Sequence, residues 1–315
     1  MRWYKSRAMT EESGNSGATG PAAKAAAARV AIAVLLCGAV GIAFSPIFAR
    51  LSELGPSATA FHRVFLALPA LWAWSALGRR SGTRDRRPAA RSDYQLLMLA
   101  GVFFGGDLVF WHWSIRFTSV ANATLFANFA PIFVTFGGFV LFGERFSRSF
   151  LWGLAMAIFG SCVLMGDSFA IGGENLLGDA FGLVTAMFYA AYIITVGKLR
   201  ARFSTATIMG WSSLASAAVL LPVTLLSGEG LIAGTAYGWA VLVALALVSH
   251  TLGQGLIAYA LAHLPAAFSS VALLFQPAVA AVLAWVILEE ALGGVQALGA
   301  AVILAGIWQA RRGSR

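Results

Sequence analysis

Ten stretches of roughly 20 mostly apolar residues, the length that spans a bilayer as a helix, recur along this chain. They fall at 29–49, 56–77, 94–116, 119–142, 149–167, 178–198, 206–226, 236–261, 265–288 and 294–310. A helix satisfies its backbone N–H and C=O groups within one segment, which hydrocarbon demands. The pattern therefore predicts an all-α integral membrane protein with ten transmembrane helices. Charged residues make up 11% of the sequence, less than half the ~25% usual in soluble domains. The connections are short except GRRSGTRDRRPAARS at 78–92, so the sequence has no room for a second, soluble catalytic domain.

Lys and Arg near helix ends are retained on the cytoplasmic side. With the N-terminus inside, the 22 basic residues all fall in the tails or the inside loops except Arg50, Arg63 and Arg116. The connections at 168–177 and 227–235, expected outside, contain none. Both termini are thus expected in the cytoplasm. Residues 1–28 are polar and Ala/Gly-rich with no signal-peptide core, which reads as a disordered cytoplasmic tail, and 311–315 form a second tail. The net charge of +9 follows from this bias, with anionic lipid the expected partner and nucleic acid not. Cys37 and Cys162 lie inside apolar runs and read as free buried thiols. Oligomeric state leaves no trace in the sequence.

Two stretches look alike. FANFAPIFVTFGGFVLFGERF places Pro131 thirteen residues before Glu144, and LLFQPAVAAVLAWVILEEAL places Pro277 thirteen before Glu290. A shift of 146 also lays Gly153 on Gly299 and Gly160 on Gly306, and a shift of 148 lays Arg50 on Lys198. Each copy holds five helices, an odd number, so the second enters the membrane from the opposite side. The expected halves are 29–167 and 168–310. Inverted repeats mark secondary transporters, whose substrate sites lie near the midplane where the halves meet.

With SVANATLFANFAPIFVTFGGFVLFGERF and GLAMAIFGSCVLMG in one half, and AAFSSVALLFQPAVAAVLAWVILEEAL and GAAVILAGI in the other, the chain resembles the EamA family of the drug/metabolite transporter superfamily. The aromatic-rich interior is similar to that of bacterial amino-acid exporters of the YddG type. The resemblance implies a multi-pass protein of the bacterial inner membrane. It also implies export of a small metabolite, such as a large apolar or aromatic amino acid, by alternating access through a central cavity.

Ionisable groups inside a membrane are costly and mark function by default. Arg63 is expected about 10 Å below the outer end of its helix and Asp107 about 13 Å below that of its own. Together they could recognise a zwitterion, or they could form an internal salt bridge that never meets substrate; Asp107 is also the candidate for proton coupling. Other candidate cavity residues are Phe44, Ser45, Trp111, Trp113, Asn128, Tyr189, Tyr192, His250, Gln254 and Gln276. Trp111, His112 and Trp113 read equally as an interfacial aromatic belt. Pro131 and Pro277, near mid-membrane, are expected to be hinges, and Glu144 to pair with Arg145 or cap a helix. The paired glycines should permit close helix packing.

Other classes fit less well. GWSS at 210–213 resembles a fragment of an intramembrane-protease motif, with His250 as its general base, but it lacks the final glycine. The sequence contains neither a metal-ligand spacing nor a GxxxxGK[ST] phosphate loop, so neither a cofactor nor direct ATP drive is expected. A channel would usually assemble its selectivity filter from several subunits, whereas two inverted halves make a complete unit in one chain.

Overall fold

The computed structural model describes residues 21–80, 87–118, 120–165, 176–289 and 293–314. Glu290, the tail before residue 21 and most of the 168–177 connection lie outside them. Among the described residues every regular element is helical. Nine spans among the described residues are long and apolar enough to cross a membrane: α1 (Ala26–Leu51), α2 (Pro56–Gly78), α3 (Arg91–Phe117), α4 (Asn122–Phe142), α5 (Arg148–Met165), α6 (Leu176–Leu199), α7 (Thr205–Ser227), α8 (Ala236–Ala260) and α9 (Ala266–Ile287). The tenth, α10 (Gly294–Gly313), carries Gln296, Gln309, Arg311 and Arg312, which lower its hydropathy. The first helix starts at Pro21, inside the expected disordered tail. The reason is the run PAAKAAAA, since alanine is the strongest helix former.

Consecutive spans alternate in direction. One face, here the basic face, gathers the start of α3 and the end of α6, where Arg202 pairs with buried Asp93 at 2.7 Å. On it Ser147, before α5, donates to the carbonyl of Gly313 at the end of α10. On the opposite face Ser114, near the end of α3, donates to the carbonyl of Gly178 at the start of α6.

α5 and α10 pack along each other, and their sequence explains how close they come. A Cβ on Gly160 would lie 2.6 Å from the Ile303 backbone nitrogen, and one on Gly306 would lie 2.5 Å from that of Ala157. Only hydrogen fits there, so the glycines let two backbones touch where lipid-like side chains supply no hydrophobic drive. Gly38 and Gly41 bring α1 equally close to Gly253 of α8. Cys37, on the same helix, is exposed and not buried, because the interior face of α1 belongs to these glycines.

Pro131 and Pro277 do more than bend a helix. α4 stops at Ala127 and restarts at Ala130, and α9 stops at Leu273 and restarts at Phe275, with the proline in the first turn of each new segment. α1 breaks likewise at Phe44 before Pro46, and α2 at Leu66 and Ala67 before Pro69. Proline lacks an N–H, so it suits a first turn, where that donor has no helical acceptor. α8 is interrupted differently, by a π-helical stretch, Leu245–Gln254. The residue after each proline-led half helix of α4 and α9 turns left-handed: Gly143 has φ 65° and, 146 positions on, Glu289 has φ 57°.

Candidate functional site

The breaks in α1, α4 and α9 converge on one cavity of about 190 Å³. Its wall takes Ser45 and Pro46 from α1, Asn128 and Pro131 from α4, and Gln276 and Pro277 from α9. α2 adds Arg63 and Thr59, and α3 adds Phe104, Asp107, Trp111 and His112. α6 contributes Thr185 and Tyr189, and α8 contributes Gln254. The cavity lies between mid-membrane and the face opposite the basic one.

Arg63 and Asp107 both line it, yet among the described residues no ion pair joins them. The internal salt bridge considered from sequence is therefore not formed. The Arg63 guanidinium instead lies 5.7 Å from the centre of the Phe104 ring, and its Nε has no hydrogen-bond partner. Asn128 Nδ2, Gln276 Nε2, Ser45 Oγ and Thr185 Oγ1 are likewise buried and unpartnered. An unsatisfied buried polar group costs about 1–3 kcal/mol. Several such groups on one wall leave hydrogen-bonding capacity at the cavity.

Four candidates lie off this wall. Trp113 is 40% exposed and packs on Phe110 and Phe181 at the molecule's outer surface, as an aromatic-belt residue would. Phe44 marks the break in α1, where its ring stacks on Phe48 at 5.9 Å. Tyr192 is buried behind Phe104, with ring centres 4.9 Å apart, and its hydroxyl reaches Met209 Sδ. His250 Nε2 lies 2.7 Å from Ser213 Oγ. That pair is not the protease motif's: the serine of the motif would be Ser212, whose hydroxyl donates to the Met209 carbonyl, while Ser213 stands where the glycine is missing. The Ser213 and His250 side chains are buried, neither reaches the cavity, and their bond holds α7 against the π segment of α8. Glu144 makes no ion pair with Arg145 among the described residues; it folds back onto Gly138 of its own helix.

Sequence reasoning missed Thr59, Phe104, Thr124, Thr185 and Ser270, which line the cavity. The small hydroxyls look like ordinary packing residues, and only the helix breaks could have flagged them. His112, read with its two tryptophan neighbours, turns inward, and its Nδ1 lies 2.5 Å from the Leu108 carbonyl oxygen.

A bundle of membrane-crossing helices, several broken at mid-depth around a largely apolar cavity with a few polar groups, is the architecture of a secondary transporter. The EamA-like transporter family profile matches residues 29–166 and again 176–310, and the chain belongs to that family. It is 26% identical over 232 residues to the pseudopaline exporter CntI of Pseudomonas aeruginosa, covering 73% of this chain and 78% of the relative. With the threonine/homoserine exporter RhtA of Escherichia coli it shares 28% identity over 213 residues, 66% of this chain and 68% of the relative. A crystal structure of another protein superimposes with a TM-score of 0.75 at 19% identity, covering 91% of this chain and 98% of that one.

Proposed function

We propose that this transporter exports a zwitterionic small metabolite, a large apolar or aromatic amino acid foremost, across the bacterial inner membrane with both termini in the cytoplasm. The carrying observation is that two groups of opposite sign, Arg63 and Asp107, face one cavity with no direct ion pair between them among the described residues. Ionisable groups in a membrane interior are expensive, and a ligand bearing an ammonium and a carboxylate would give each of the two a direct partner. In this reading Arg63 and the amides of Asn128 and Gln276 hold the carboxylate, and Asp107 holds the ammonium. Phe104, Leu108, Trp111, Tyr189 and Leu273 offer an apolar wall to the side chain. The volume lies below the ~300–1,000 Å³ of drug-sized pockets, which favours a small ligand.

Alternating access follows from the breaks. The segments of α4 and α9 meet at Pro131 and Pro277, so each outer half can tilt against its inner half without breaking a continuous hydrogen-bond ladder. Asp107 is the group that would couple such movement to protons. The test is purified protein in liposomes, with flux measured for a panel of amino acids, nucleosides and cationic dyes. Saturable flux of apolar amino acids is the expected result. Flux of a cationic dye with none of any amino acid would refute the reading.

A further inference from the structure

A second cavity, of about 260 Å³, opens at the basic face beneath the first. Helices α4, α6 and α9 supply walls to both. On α4 the first cavity reaches Pro131 and the second begins at Val134; on α9 the corresponding residues are Ser270 and Ala267. Three residues of helix amount to about 4.5 Å, so less than one turn separates the two spaces. Val134, Ala267 and Phe268 in that layer are almost wholly buried, which makes it an apolar septum.

The lower cavity, like the upper one, carries one group of each sign, although here both are exposed. Its wall is apolar except for one carboxylate, Glu144, and one ammonium, Lys198, and among the described residues these do not pair with each other. Local structure aims both. Gly143 ends α4 in the left-handed conformation, and the Glu144 N–H donates to the carbonyl of Gly138 at 3.1 Å, so the chain doubles back. Gly138 leaves room for the returning carboxylate: a Cβ there would lie 2.7 Å from Glu144 Oε2. Lys198 is held at the end of α6 with its Nζ 3.7 Å from the centre of the Phe142 ring.

Resting on the reading of the protein as a carrier of zwitterions, we propose that this lower cavity is a loading station for the same substrate at the basic face. Glu144 takes the ammonium and Lys198 the carboxylate before the substrate crosses the septum to Arg63 and Asp107. The two stations lie in series on one path.

The experiment is equilibrium binding of radiolabelled L-phenylalanine and, in parallel, L-threonine to the full-length protein in nanodiscs. The expected result is two molecules bound per protein. Glu144→Gln combined with Lys198→Gln should weaken one site by at least about tenfold, the loss of one to two charge-assisted contacts, and Asp107→Asn should weaken the other. A single site, lost with Asp107→Asn and untouched by the lower pair of changes, would overturn the loading station while leaving the upper-cavity reading intact. Absence of binding of either amino acid would overturn both. A single site together with a transport defect rescued by exchanging the charges, Glu144→Lys with Lys198→Glu, would make the pair a gate and also overturn the proposal.

Discussion

Replacing Gly160 by alanine tests the seam that joins α5 to α10. In a helix interior this change ordinarily stabilises by about 0.5–1 kcal/mol, because alanine loses less backbone entropy. At Gly160 the new methyl would lie 2.6 Å from the Ile303 nitrogen, 2.8 Å from the Gly299 carbonyl oxygen and 2.9 Å from Ile303 Cγ1. Two of those three atoms are backbone, so relief requires the helices to separate, and overpacking of this kind costs about 1–3 kcal/mol. The steric term wins, and the net expectation is a loss of about 1–2 kcal/mol, roughly a tenfold fall in the ratio of folded to unfolded protein. Gly210 of α7 is the internal control: a Cβ there would meet only Trp72 ring atoms at 3.8 Å or beyond, so Gly210→Ala should be neutral or stabilising. Unfolding of both variants in the same detergent, followed by tryptophan fluorescence, gives the comparison. Equal stability of Gly160→Ala and Gly210→Ala would refute the argument that backbone contact sets the spacing of this pair.

Asp107→Asn should abolish any acceleration of liposome flux by an imposed pH gradient while leaving exchange measurable; an unchanged pH response would remove Asp107 from coupling. Pro131→Ala and Pro277→Ala each supply an N–H that can bridge the break. Transport rate should fall more than substrate affinity, and cysteine probes should show access biased to opposite faces in the two variants. Glu289→Gly relieves a left-handed conformation that costs a non-glycine residue about 1 kcal/mol, so it should raise the unfolding midpoint of the protein. Glu53 lies between α1 and α2, where the Thr235 hydroxyl, then the Thr235 and Gly234 N–H groups, hold its carboxyl below the usual carboxylate range. A lowered folded value means the stabilisation is full above the unfolded value and is lost as pH falls through the folded one. The stability gap between the protein and Glu53→Gln should therefore be present at neutral pH and close below about pH 4.

The helices and the glycine faces along which they pack were legible because apolar length and glycine spacing are local properties that lipid turns directly into structure; which helix meets which was not. The orientation of single side chains was not. Trp111 and Trp113 are two residues apart, about 200° around a helix, so only one of them can face the cavity, and hydrophobicity gives no ground for choosing. Tyr189 and Tyr192 share a helical face, yet Phe104 and Met209 close over Tyr192 and leave Tyr189 at the wall. His250 and Gln254 are one helical turn apart, yet Ser213 engages the His250 ring away from the cavity while Gln254 stays on its wall. Pro131 and Pro277 gave the depth of the breaks in α4 and α9, whereas the break in α2, before Pro69, was not anticipated. Broken ends need tertiary partners, which a linear pattern does not disclose.

Two carboxylates on the face opposite the basic one bear on how such a chain is assembled. Glu53, following α1, accepts from the backbone N–H groups of Gly234 and Thr235 at the start of α8, and Glu229, following α7, accepts from the Ala58 N–H at the start of α2. Each half thus supplies a negative group at the N-terminal end of a helix in the other. A five-helix fragment made alone would leave those donors without the glutamate, facing the membrane boundary. Two fragments made together would have a reason to find each other. The exchange is reciprocal, so losing either glutamate is felt in the opposite half.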